Sequence, residues 1–485
     1  MRKLILPILV LALVLVSCTD NLTDLNTDPK NPTDVPGETL FSNAQVSLGT
    51  YLTEPDVNLN TFKLMAQYWA QTTYATESRY ELTTRSIPSN LWSELYRDVL
   101  KDLDKSAEII SNDESLSDAE KTNRLASIEV LKVLTYSELV NIFGDIPYSE
   151  ALNPDNTQPS YEDAASIYED LMSRLNTAIS DFDASASNFR EADIFYGGDV
   201  EKWQKFANSL KLRLAITLAD VNNSMAQTAI EEAAPNAFES NDDNAVIPFQ
   251  AFPPHANPIW EALVNSGRHD YVPSNTIIDH MNDLDDPRRP KFFTLAPDTN
   301  TYFGGTYGTT NTYSAFSHFS EDVANDDDYE VKTATLPGTI LEYAEVEFIL
   351  VEARERGYNV SGSAQQHYNN AIEADMKSWG VDEDDISDYL SQQSVNYQTA
   401  SGTWKEKIGK QKWLSLFLQG LQGWTEWRRL DAPTLNAPPE MTLEDIPERF
   451  TYPVDEQNLN TSNYNAASEA IGGDDLQNNL FWDVN

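Results

Sequence analysis

The stretch GTILEYAEVEFILVEARERGYNVSGSAQQHYNNAIEADMKSWG, residues 338–380, decides the fold class. Its pattern predicts one helix from about Thr339 that Gly357 stops, and a second from near Ser363 that Gly380 stops. Two helices within about forty residues, joined by a short glycine-bearing link, form the helix-turn-helix unit of tetratricopeptide-type arrays. The full consensus of that repeat is absent and no fixed period runs through the chain. The expected array is therefore irregular.

The same rhythm extends upstream. In NRLASIEVLKVLTYSELVNIFGDIPYSEAL, residues 123–152, Leu125, Ile128, Leu131, Leu134, Leu139 and Phe143 fall mostly on one helical face. Gly144 is a stop, and Pro147 cannot continue the helix. Ser160, with Asp163 three residues on, reads as the N-cap of the next helix. The segment GGDVEKWQKFANSLKLRLAITLAD, residues 197–220, starts with Asp199 as N-cap, and Trp203, Phe206, Leu210, Leu214, Ile216 and Leu218 supply its core side. The fold class is thus mainly α: irregular tetratricopeptide-like helix pairs with little strand. One domain spans 38–485, with its helical scaffold at about 38–235 and 338–430. Two loop-rich regions interrupt it, about 236–337 and 431–485. Loops this long are commonly functional, and their aromatic content argues against disorder.

The chain holds one cysteine, Cys18, so no intrachain disulfide forms, and the five histidines lack zinc-ligand spacing. Arg2 and Lys3 precede an apolar run from Leu4 to Val16, the n-region and h-region of a secretory signal. That run is short for a membrane span of about 20 residues. Residues 1–17 therefore read as a leader, Cys18 as the lipid attachment point and 18–37 as a flexible acidic tether. Acyl chains at about 0.8 kcal/mol per buried CH₂ hold such a protein to a membrane. The net charge is −44, and loss of Arg2 and Lys3 makes it more negative. Such a surface repels phosphate backbones, which excludes nucleic acid as a partner.

Catalytic signatures are missing. There is no HExxH, no GxSxG elbow and no EF-hand loop, and YFGGTYGTT lacks the lysine of a phosphate loop. No metal, no cofactor and no catalytic residue is expected. With 77 acidic residues a glycosidase-type carboxylate pair can arise anywhere, and nothing in the pattern selects one. Aromatics carry the stronger signal. Trp69, Tyr74, Tyr80 and Trp92 crowd one segment, and Tyr302, Tyr307 and Tyr313 sit among Gly, Thr, Ser and Asn. A flat ring beside hydroxyls, amides and an arginine suits the apolar face of a sugar. Trp260, Arg268, His269 and Tyr271 complete the candidate ligand-binding set.

Several motifs point to a family. Leu15-Val16-Ser17-Cys18 resembles the lipobox of bacterial lipoproteins. SELVNIFGDIPYSEAL followed by SYEDAASIYEDL, then KIGKQKWLSLFLQGLQGWTEWRRLDAP and RFTYPVDEQNLN, resemble the SusD/RagB family of outer-membrane lipoproteins, in its SusD-like branch, over nearly all of the mature chain. Common members carry an Arg-Arg-Glu-Leu-type run where this chain has Gln411-Lys412-Trp413-Leu414. The resemblance implies a cell-surface, lipid-anchored lid over a SusC-like TonB-dependent transporter, which captures an oligosaccharide or polysaccharide and performs no chemistry. It implies that the motifs above stabilise the scaffold, and that ligand contacts lie around Tyr74 to Trp92 and in the central insertion. A peptide-capturing lid and a surface glycosidase remain open alternatives.

Overall fold

The computed structural model describes residues 35–324 and 332–484. The leader, Cys18 and most of the tether lie outside the described residues. Among the described residues, no helix is long and apolar enough to cross a membrane.

Helices of ten or more residues are α1 (Gly37–Thr53), α2 (Lys101–Asn112), α3 (Asp118–Phe143), α4 (Ala164–Asp181), α5 (Val200–Thr217), α6 (Asn223–Ala233), α7 (Tyr343–Glu355), α8 (Ala364–Ser378), α9 (Trp404–Ser415), α10 (Gly420–Leu430) and α11 (Thr461–Ala470). They pack in successive pairs, α1 with α2, α3 with α4, α5 with α6, α7 with α8 and α9 with α10. Each pair leans on the next through α2–α3, α4–α5, α5–α7 and α7–α9. This is the irregular helix-pair array that residues 338–380 predict.

Local chemistry sets the boundaries. Ser117 and Glu120 form a capping box at the start of α3, and Gly144 ends it at φ 85°. Asp199 caps α5 by accepting from Lys202 N–H. Two expected starts are corrected. The cap of α4 is Asp163, which accepts from Ser166 N–H; Ser160 instead donates its N–H and hydroxyl to Glu150. The helix expected from Thr339 starts at Tyr343, because Gly338–Leu341 forms strand β6 and pairs antiparallel with β4 (Ala245–Ile247). Gly338 has no room for a Cβ, which would lie 2.2 Å from Thr53 Oγ1.

The remaining strands are β1 (Trp69–Gln71) paired with β5 (Tyr271–Pro273), and β2 (Ile146–Pro147) paired with β3 (Tyr161–Glu162). The central insertion is more ordered and more buried than a loop. It contains a helix at Asn275–Asp283, and it sends Phe292, Phe293 and Phe319 into the main core.

Buried charge ties the pairs together. Arg429 on α10 donates to both carboxylate oxygens of Glu352 on α7, each at 2.7 Å, and also pairs with Glu426. The guanidinium carbon of Arg428 sits 3.5 Å from the Trp424 ring centre, and the group donates to Asn141 C=O on α3. Arg449 reaches Phe143 C=O at the end of the same helix and pairs with Asp474. The Trp-Arg-Arg and Arg-Phe-Thr-Tyr-Pro segments therefore brace the scaffold from inside.

Candidate functional site

A cleft of about 890 Å³ opens where four chain segments meet. They are the end of α1 with the turn after it, β1 with the loop that follows, the segment 254–262, and the loop leading into β5. Strand pairing creates the site. Ala70 faces Val272 and Gln71 faces Tyr271, and Thr72 N–H continues the ladder to Asp270 C=O at 2.9 Å. Residues some 200 positions apart are thereby fixed side by side. Tyr271 hydroxyl donates to Pro55 C=O at 2.8 Å and closes the ring of segments.

The floor is a polar network. Gln71 Nε2 donates to Glu77 Oε2 at 2.7 Å, and Gln71 Oε1 accepts from Ser78 N–H. Arg85 Nε donates to the other oxygen of Glu77, and its Nη1 reaches Asn58 Oδ1 at 3.2 Å. Elsewhere on the lining Arg268 Nε donates to Asp270 Oδ2 at 2.6 Å. Glu54 and Glu261 also line the cleft. Burial pushes the Glu54 carboxyl up to about 7; a hydrogen bond from Asp56 N–H at 3.0 Å and the Lys63 charge pull against it, while the Asp56 and Glu261 charges add to it. Lys63 is itself buried, donating to Thr53 and Glu54 C=O at the end of α1. Tyr74 stands at the rim with 63% of its surface exposed. In a cleft also lined by carboxylates, amides and guanidinium groups, an exposed ring can stack on a sugar while those groups hydrogen-bond its hydroxyls. Among the described residues, no group of three or more His, Cys, Asp or Glu side chains is arranged to hold a metal ion.

The predicted aromatics divide. Tyr74, Arg268 and Tyr271 line the cleft. Trp69 is 1% exposed, packed between Tyr271 and Phe319. Tyr307 is also 1% exposed, with its hydroxyl on Leu64 C=O, and Tyr80 is buried beside it. Trp260 is buried against Ala256 and Ala334. These four are core side chains, because strand pairing draws the insertion onto the scaffold and leaves their rings no solvent face. Trp92 packs on Tyr96 and Phe143, away from the cleft lining. Tyr302 lies under the Arg289 guanidinium. Tyr313 is sandwiched between His269, at 4.1 Å, and His318, at 3.8 Å. The stretch 302–313 is thus only partly packed down: Tyr307 is buried, Tyr302 and Tyr313 are half-buried and Phe303 is 56% exposed. Its glycines serve close packing, since a Cβ on Gly304 would lie 2.4 Å from Ser274 C=O oxygen.

Sequence reasoning missed Glu54, Asp56, Asn58, Gln71, Glu77, Arg85 and Glu261. The signal was the Thr53-Glu54-Pro55-Asp56-Val57-Asn58 run, a polar turn directly after a helix.

The family description "Starch-binding associating with outer membrane" matches residues 29–453, most of the chain. The chain belongs to the SusD-like family. Among solved structures, a chitin-binding protein is 27% identical with a TM-score of 0.79, over 93% of this chain and 100% of that one. A chitin-binding SusD homologue from Flavobacterium johnsoniae is 24% identical with a TM-score of 0.77, over 92% of this chain and 98% of that one. A SusD homologue from Bacteroides uniformis is 24% identical with a TM-score of 0.76, over 92% and 99%. The last two likenesses concern the fold alone. No curated protein sequence matches the chain. Membership in the SusD-like family fits the buried Trp-Arg-Arg and Arg-Phe-Thr-Tyr-Pro segments, which lie inside the scaffold as the resemblance implied.

Proposed function

We propose that this SusD-like protein is a cell-surface lipoprotein that captures oligosaccharides in the 890 Å³ cleft and passes them to a partner TonB-dependent outer-membrane transporter. The observation that carries this reading is an exposed Tyr74 ring lining the same cleft as the Gln71–Glu77–Arg85 network. A sugar ring stacks on the tyrosine while its hydroxyls exchange water for fixed donors and acceptors. The chitin-binding relative supports a glycan as ligand. Cys18 supplies the lipid anchor.

The role is binding without turnover. Each arginine in the cleft already holds a carboxylate, so the polar groups are arranged as a fixed recognition surface. Affinity electrophoresis and calorimetry of the mature chain against a panel of polysaccharides and peptide digests test the reading. Saturable binding to a glycan, with no reducing ends released, is expected. Release of reducing ends establishes a glycosidase, and binding of peptides alone moves the ligand class.

A further inference from the structure

A second cavity, of about 190 Å³, shares no lining residue with the cleft. Segment 256–259 divides the two: Ala256 and Pro258 line the cleft, while Asn257 and Ile259 line the cavity. The other walls are the end of α1, β4, β6, the end of α8 and the link between α9 and α10. Exposed Pro337 and Ser378 open it to solvent, and buried Thr53 and Gly338 line it from within. The lining joins one aromatic ring to polar side chains from separate walls. Trp379 is half-buried and meets Phe292 edge-on at 4.7 Å. Glu342 and Gln419 stand directly before α7 and α10, and neither side chain caps its helix. Asn244 accepts from Tyr343 N–H through Oδ1 at 2.7 Å and lines the cavity as well. Among the described residues on the lining, Glu342 alone is ionisable. Burial pushes its carboxyl up to about 8; the Asp375 and Glu345 charges add to this, while a hydrogen bond from Thr339 and the Arg213 charge pull against it. At neutral pH the group is therefore chiefly protonated, and it both donates and accepts.

We infer that this cavity is a second ligand site, separate from the cleft, which takes one neutral sugar ring. Its volume lies below the range of about 300–1,000 Å³ usual for larger ligands, so one ring fits and a chain does not. Trp379 offers an aromatic surface for the apolar face of a pyranose. Carboxyl, carboxamide and hydroxyl groups on different walls match hydroxyls that radiate from such a ring. An anionic ligand finds no arginine or lysine among the described lining residues, and a cation has to displace the proton of Glu342. The site needs no chain bound in the cleft, so it stands apart from the glycan-capture reading.

Calorimetry of the mature chain with N-acetylglucosamine, xylose and the methyl glycosides of glucose, galactose and mannose tests it. At least one of these sugars is expected to bind one-to-one with a millimolar Kd. The double variant E342A/Q419A should weaken that binding about tenfold or more. Binding to the wild-type chain should also fall between about pH 7 and pH 9, as Glu342 gives up the proton it donates. Glu342→Gln, whose amide still donates, should bind alike across that range, a readout that a merely structural role for Glu342 would not move. No binding by any of the five sugars, binding that E342A/Q419A leaves unchanged, or a pH profile that Glu342→Gln reproduces, overturns the inference. Binding that Tyr74→Ala abolishes instead places the ring in the cleft, which removes the second site and leaves glycan capture standing.

Discussion

Arg213 on α5 grips Glu345 on α7 with two parallel hydrogen bonds, Nε to Oε1 at 2.8 Å and Nη2 to Oε2 at 2.6 Å. Both side chains are buried, and Arg213 also donates to Ile340 C=O in β6. One guanidinium therefore joins the two halves of the array across the central insertion. Truncating it as Arg213→Ala leaves Glu345 buried and unpaired, which is expected to destabilise the fold by about 3–5 kcal/mol. Urea denaturation measures this; a loss below about 1 kcal/mol would show that the pair contributes nothing the packing does not.

Carboxyls buried without full compensation make stability depend on pH. Burial pushes Glu138 up to about 7 against the pull of Arg213, and pushes Glu342 up to about 8. A carboxyl whose folded value is raised contributes stability that is complete below its ordinary value near 4.5 and is lost as pH rises through the folded value. Melting temperature is therefore expected to fall between about pH 5 and pH 8. Glu138→Gln should flatten that slope, and an unchanged slope would assign it elsewhere.

Glu426 works in the opposite sense. Burial disfavours its charge, but Arg429 and Lys412 overcome burial and hold it at about 2. Its contribution is present above its ordinary value near 4.5 and is lost as pH falls toward 2. Glu426→Gln should remove part of the acid-side decline in melting temperature, measured from about pH 4.5 down to pH 2.5.

Gly420 is where α10 touches the turn that leads into β1. A Cβ there would lie 2.4 Å from Lys63 N and 2.6 Å from Phe62 C, both backbone atoms. Gly420→Ala must push the Phe62–Met65 turn away, at a cost of about 1–3 kcal/mol. Because β1 carries Gln71, the substitution should also weaken ligand binding, read by calorimetry beside thermal unfolding.

The lipid anchor is tested apart from the fold. Cys18→Ala should move the protein from the membrane fraction to the soluble one. Unchanged fractionation would remove the lipoprotein reading while leaving the cleft intact.

Much of the scaffold was legible because helix pairing follows from periodicity and stop signals. Gly144, Gly357 and Gly380 all take positive φ where their helices end. The short strands were not legible. Thr339-Ile340-Leu341 leads directly into a helix in sequence, and only the distant Ala245–Ile247 makes it a strand. The site failed for a related reason. An aromatic in a glycine-rich run reads as exposed, yet Tyr307 is buried because Gly304 and Gly305 let the chain lie on β5. The cleft polar groups, by contrast, are ordinary Glu, Asp, Asn and Gln in a chain rich in them. Only the pairing of β1 with β5 singles them out.

The most direct measurement is calorimetric titration of the panel's bound glycan into the wild-type chain, into Tyr74→Ala and into Tyr302→Ala. Glycan capture in the cleft predicts that Tyr74→Ala weakens binding by about 0.5–1.5 kcal/mol, the worth of one ring stack, while Tyr302→Ala binds as the wild type does. Full affinity in Tyr74→Ala, with loss in Tyr302→Ala, would contradict the account and move the site to the outer face of the insertion.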